Sequence, residues 1–270
     1  MPHDRLRQSF LNFCVVAALA SGLAGCDIVV STMEGGGREK AQKQWTQTYT
    51  LTGADARFEV VNVNGSITAE VSDGPSVEVS ATIETRGGTL DEAKAALEKV
   101  EIREEAGGSQ VRLESTYPKE LGRKGVTVTY KLRVPRSVRV ALESVNGTIH
   151  LNGVQAVKAE TTNGNIEGRA LAGEGTAGST NGSIKLELTS LGVDGLTAET
   201  TNGTIDVKLP QDVKATLAAR CVNGGIAVSD LPFERTGEGS RRKLDGTING
   251  GGPSVRLNTT NGSIRVSRTQ

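Results

Sequence analysis

Aromatic residues are scarce in this chain, at 3% of 270 residues: one Trp, three Tyr and four Phe. So few rings exclude a core built around aromatic side chains. They also leave little from which to build the aromatic platforms of sugar clefts. Histidine is scarcer still, at 2. His3 lies in the first few residues, so His150 is the one imidazole of the body, and a catalytic triad or His-based metal cluster has almost nothing to build on. Proline counts 7 against 34 glycines. With many Val, Ile and Thr, that ratio points to numerous short strands and turns rather than a disordered chain. Neither sign of charge predominates, since 31 Lys+Arg face 31 Asp+Glu. Nucleic acid is therefore not an expected partner. "MEGGGREK", at residues 33–40, neither follows a strand nor ends in the Lys-Ser/Thr of a phosphate loop. No cofactor and no metal are expected.

Long apolar runs are absent except near the start. Arg5 and Arg7 precede "FLNFCVVAALASGLAGC", which ends at Cys26. About a dozen apolar residues suit a signal-peptide core and are too few to span a membrane as a helix. "LAGC", Leu23–Cys26, resembles the lipobox of bacterial lipoproteins. That resemblance implies lipidation of the Cys26 thiol, removal of residues 1–25, and a membrane partner reached through Cys26. The location implied is the bacterial envelope, facing the periplasm or the exterior. Of the 3 cysteines, Cys14 falls in the signal and Cys26 at the anchor. Cys221 is then alone in the body, and an internal disulfide is excluded.

Residues 26–44 read as the anchor and a flexible tether, rich in glycine and charge without a period. Residues 45–137 read as an N-terminal β region interrupted by one short helix near 89–100. There Thr89 and Glu92 form a capping box, and Leu90, Ala93, Leu97 and Val100 share a face. Residues 138–270 are repetitive. Of nine Asn-Gly pairs, seven share a longer frame: Asn64-Gly65, Asn146-Gly147, Asn163-Gly164, Asn181-Gly182, Asn202-Gly203, Asn223-Gly224 and Asn261-Gly262. Asp245-Gly246 reads as an eighth copy. Three residues beyond each Asn or Asp stands Ile: 67, 149, 166, 184, 205, 226, 264 and 248. Two residues before stands a compact, mostly hydroxylated side chain: Asn62, Ser144, Thr161, Ser179, Thr200 or Thr259, with Cys221 in the same slot. Each pair reads as a structural corner between two short strands, with Gly supplying positive φ.

Two all-β architectures fit. Asn-Gly between alternating runs is a hairpin signal, so a meander is one. The other is a β-solenoid of 17–22-residue repeats, in which like slots stack into ladders. The unbroken Ile column favours the solenoid. Asp230–Lys243, "DLPFERTGEGSRRK", reads as an irregular coil with a protruding loop. The frame "YKLRVPRSVRVALESVNGTI" (Tyr130–Ile149), the "TNGxI" units and "LDGTINGGG" (Leu244–Gly252) resemble a bacterial family of adhesin-like proteins of unknown function. Its members are β-solenoid relatives of the head-GIN domains, and the resemblance runs from about Ala56 to Val266. It implies an anchored or secreted envelope protein and carries over no catalytic residue.

The residues offer little chemistry. Cys221 shares the inward parity of Leu217 and Ala219 and reads as a packed thiol. His150 points outward. The residue after each Ile (Thr68, His150, Glu167, Lys185, Asp206, Ala227, Asn249 or Arg265) makes no acidic cluster. The expected function is a non-catalytic envelope module, adhesin-like, that binds an envelope protein or a glycan or serves as structure. The alternatives are a polysaccharide-active enzyme on a β-helix and an envelope signalling component. The enzyme would be marked by two exposed carboxylates about 5–10 Å apart in a groove.

Overall fold

Apolar and polar residues alternate along nearly every segment, and nearly every segment is a strand. The computed structural model describes residues 39–53, 55–122 and 125–269. Cys26 lies outside them, as do the signal-like segment and most of the expected tether. In chain order the strands are β1 (Glu39–Tyr49), β2 (Arg57–Asn64), β3 (Ile67–Ser72) and β4 (Val77–Gly87), then helix α1 (Leu90–Leu97), β5 (Glu101–Gly107), β6 (Gln110–Thr116) and β7 (Thr127–Pro135). Next come β8 (Arg139–Asn146), β9 (Ile149–Asn152), β10 (Gln155–Asn163), β11 (Ile166–Asn181), β12 (Ile184–Asn202) and β13 (Ile205–Leu209). The chain closes with β14 (Ala215–Asn223), β15 (Ile226–Val228), β16 (Phe233–Arg235), β17 (Lys243–Ile248), β18 (Ser254–Asn261) and β19 (Ile264–Arg268).

All of these belong to one hydrogen-bonded sheet curled into two faces. The first face runs β5–β6–β2–β8–β10–β11–β12–β18–β14–β17–β16. The second runs β1–β4–β7–β3–β9–β11–β12–β13–β19–β15. Long strands β11 and β12 serve both, with their first residues on the second face and their last on the first. The middle of each face is parallel and in register, with Asn163 opposite Asn146 and Ile166 opposite Ile149. Two-residue hairpins would pair successive copies antiparallel, so the copies stack as coils. Antiparallel strands close both ends: β1, β4 and β5 at one, β16 and β17 at the other.

Stacking like over like places Ile67, Ile149, Ile166, Ile184, Ile264 and Ile205 in one column, each at 0% exposure. Full burial of each side chain contributes about 1.5–3 kcal/mol, so this column is a main source of cohesion between the faces. Helix α1 lies against β4 and β1 and buries Ala93, Ala96 and Leu97. Thr89 accepts from Glu92 N at 3.2 Å, and the Glu92 carboxylate accepts from Gly88 N at 2.9 Å, one residue earlier than a capping box requires.

Four features differ from the sequence reading. Residues 39–44 are strand rather than tether, pairing with β4 from Glu39 opposite Gly87. Their side chains are polar except for buried Ala41, so the backbone ladder and the Lys40–Glu84 ion pair at 3.1 Å hold what hydropathy did not reveal. Residue 137 marks no structural break, because β2 and β3 form the first coil and pair directly with β8 and β9. Asp245 and Gly246 are not at a corner. They lie inside β17, opposite Ala218 and Leu217, and the Phe233 ring packs where a Gly246 Cβ would project. Finally, the coils do not stack in chain order. β18 and β19 insert between the coil of Asn202 and that of Asn223. The stretch 230–243 folds back over that last coil, where the carbonyls of Arg242 and Arg241 accept from Cys221 N and Ile226 N.

Candidate functional site

In each of the seven full copies the first strand ends at Asn, the chain bends at Gly, and the next strand starts at Ile on the second face. Parallel stacking brings the asparagines into one line, ordered Asn64, Asn146, Asn163, Asn181, Asn202, Asn261 and Asn223. Each Nδ2 donates to the preceding Oδ1 at 2.7–2.9 Å, and Asn64 Nδ2 donates to the Tyr117 hydroxyl at 2.8 Å. Burial pushes the Tyr117 pKa up while the bond from Asn64 opposes it, so the hydroxyl stays neutral and closes the ladder. All the amide dipoles point the same way, an arrangement that polarises and strengthens each bond.

Beside this line, inward, runs the column of small polar residues. Thr161, Ser179, Thr200 and Thr259 donate to the carbonyls of Gly147, Gly164, Gly182 and Gly203 at 2.9–3.0 Å. Asn62 donates to Gly65 O and Val128 O. Cys221 occupies the same slot in the last coil, buried and unpaired with another cysteine, with Sγ 3.9 Å from Arg241 O. The corner glycines fit under these hydroxyls for a reason the sequence reading missed. Gly65 has the expected positive φ, at 120°, but Gly147, Gly164, Gly182 and Gly203 are outside the left-handed region. A Cβ at each would instead fall on the carbonyl oxygen of the glycine one coil away: Gly65, Gly147, Gly164 and Gly182.

Outward of the Asn ladder lies a second column, which sequence reasoning did not single out. In stacking order it is Val145, Thr162, Thr180, Thr201, Thr260 and Val222, all exposed. Val145 and Val222 are among the three exposed large aliphatic residues of the described chain, at 42% and 56%. The second Thr of each "TTNG" was the available signal, because it alternates with the buried first one. The column forms part of an open groove of about 790 Å³ along the first face, whose other side carries Glu143, Glu160, Glu199, Asn258 and Arg220. Lys158 Nζ sits 3.0 Å from both Glu143 and Glu160. Those two bonds raise the Lys158 pKa above its ordinary value. Glu199 accepts from Asn258 at 2.8 Å, and Arg220 pairs with Asp245 at 2.7 Å.

On the second face the column after Ile runs Thr68, His150, Glu167, Lys185, Asp206, Arg265 and Ala227. Its charges alternate, and His150 Nδ1 lies 3.5 Å from Glu167. Asn249, expected in this column, instead follows β17 and donates to Gln211 O and Val213 O. Among the described residues no group of three or more His, Cys, Asp or Glu converges as a metal site. No described helix is long and apolar enough to cross a membrane.

No curated protein matches the chain. Among solved structures, similar ones include a candidate cell adhesion protein from Clostridium sporogenes, with 12% identity and TM-score 0.42 over 84% of this chain and 100% of that one. A candidate adhesin from Bacteroides fragilis is similar at 12% identity and TM-score 0.39, over 84% and 97%. The family model described as Toastrack DUF4097 matches residues 57–267, from the first coil to the last strand, and the chain belongs to that family.

Proposed function

We propose that this protein is a non-catalytic, lipid-anchored module of the bacterial envelope that presents the first face of its stack to an envelope protein or glycan. The observation that carries the reading is the exposed column of Val145, Thr162, Thr180, Thr201, Thr260 and Val222 beside the Asn ladder. Rungs recur about every 4.8 Å; each of the four Thr rungs offers a hydroxyl, a methyl group and an amide, and the two Val rungs offer methyl groups and an amide. Side chains held by a hydrogen-bonded ladder lose little further freedom on contact, which lowers the entropic cost of binding. The groove's carboxylates support a binding role over a hydrolytic one. Glu143 and Glu160 are both ion-paired to Lys158, which favours the ionised form of each, whereas glycoside hydrolysis needs one carboxyl protonated as the general acid.

Cys26 supplies the anchor in this reading, and the stretch before β1 supplies the reach. A diacylated or triacylated cysteine holds a membrane firmly, whereas one chain alone binds only marginally. Cys26→Ala is expected to abolish acyl labelling and move the protein out of the membrane fraction. Unchanged labelling would end the anchoring claim. The surface claim is tested separately, with a photo-crosslinker at Thr201 or at Asp206 on the other face. Capture of an envelope component from Thr201 alone supports the proposal, and equal capture from both positions contradicts it.

A further inference from the structure

The nine Asn-Gly dipeptides share one latent reaction. The glycine nitrogen attacks the asparagine Cγ, the carboxamide nitrogen leaves as ammonia with the amide proton, and a five-membered succinimide closes. Water then opens the ring to aspartate or isoaspartate. Glycine makes this easy because no side chain hinders its nitrogen, but the nitrogen must be free to move toward Cγ.

The fold treats the nine sites unequally. Seven glycine N–H groups are held by a neighbouring coil. Gly65, Gly147, Gly164, Gly182, Gly203 and Gly262 donate to Asn146, Asn163, Asn181, Asn202, Asn261 and Asn223 carbonyls at 2.9–3.1 Å, and Gly153 donates to Arg169 O at 3.0 Å. Among the described residues only Gly224 N and Gly250 N have no such acceptor. These two sites differ in turn. The Asn249 carboxamide is tied by two bonds from Nδ2, to Gln211 O at 2.9 Å and Val213 O at 2.8 Å. Asn223 is exposed and makes one, to Asn261 Oδ1 at 2.8 Å. The displaced stacking order puts the Asn223 coil last, so no further asparagine closes its other side.

We infer that Asn223-Gly224 is a site of spontaneous deamidation built into the end of the stack, and that the ladder suppresses the same reaction at the interior rungs. The product removes the terminal donor and sets a carboxylate oxygen against Asn261 Oδ1. An isoaspartate also adds a backbone atom between Asn223 and Gly224, which shifts Ile226 and Val228 out of register with Ile264 and Val266 while Cys221 stays opposite Thr259. The last coil is then loosened while the inner ones keep their bonds.

The test is peptide mapping by mass spectrometry after the purified full chain has stood in mildly alkaline buffer, folded and in denaturant. Folded protein is expected to accumulate acid product at Asn223 roughly tenfold or more faster than at Asn163, Asn181 or Asn202, because those need local opening first. In denaturant the lead of Asn223 is expected to vanish. Equal rates in the folded chain, or faster product at Asn249, would overturn the inference. So would a lead that persists in denaturant, since local sequence rather than the fold would then set it.

Discussion

Gly203 and Gly225 differ in what surrounds them. A Cβ at Gly203 would fall on the Gly182 carbonyl, whereas one at Gly225 meets nothing within 4 Å. Gly203→Ala is therefore expected to destabilise by about 1–3 kcal/mol through overpacking, and Gly225→Ala by no more than about 0.5 kcal/mol. Paired thermal melts measure the difference, and equal melting temperatures would show that the coils are not in such close contact. The need for glycine at these corners was legible in the sequence, but its cause was not. Sequence suggests positive φ, because it carries no trace of which carbonyl lies a coil away. Tyr130 makes a second residue-scale case. Burial pushes its pKa up to about 12, against the opposing bond from Ser115. The folded state thus keeps a proton that the unfolded chain gives up near pH 10, so this stabilisation is complete below pH 10 and falls as pH rises toward 12. Tyr130→Phe is expected to flatten part of that decline in melts taken between pH 9 and 11. An unchanged slope would count against a buried neutral hydroxyl.

At the scale of strands and coils, the columns do the work. The Ile and hydroxyl columns could be read from the sequence because parallel, in-register stacking forces like residues into like slots. Thr200 is 6% exposed and donates to Gly182 O. Thr200→Val keeps the shape but orphans that carbonyl, at an expected cost of about 1–3 kcal/mol. Cys221→Ser should act the other way. It places a hydroxyl where Ser179 has one and adds roughly 0.5–1.5 kcal/mol. A lower melting temperature for Cys221→Ser would mean that the last coil does not repeat the geometry of the others. The β1 extension and the stacking order were not legible. Residues 39–44 pair through the backbone beneath polar side chains, so no hydropathy period marks them. The insertion of β18 and β19 depends on the chain from Leu209 to Ser254 passing beyond the end and returning, which spacing alone does not encode. "LDGTI" misled for a related reason: Leu244, Gly246 and Ile248 face inward along an unbroken strand, and only its antiparallel partners distinguish it from a corner.

For the whole molecule, the two faces differ in kind. The second presents charges that alternate from coil to coil, Glu167, Lys185, Asp206 and Arg265. The first presents uncharged Thr and Val at every rung beside a continuous amide ladder, and it is the face assigned to contact. The site was only half visible in the sequence. The corners drew attention to the asparagines, while the exposed Thr column was hidden behind its buried twin in each "TTNG". The most direct measurement compares retention on isolated envelopes for the wild-type protein, a Thr180→Lys/Thr201→Lys variant and a Lys185→Thr/Asp206→Thr variant, each first shown by thermal melt to be folded. The proposal predicts that the first variant loses most of its retention, while the second keeps it. Full retention by the Thr180/Thr201 variant, or equal loss by both, would contradict the claim that this face makes the contact.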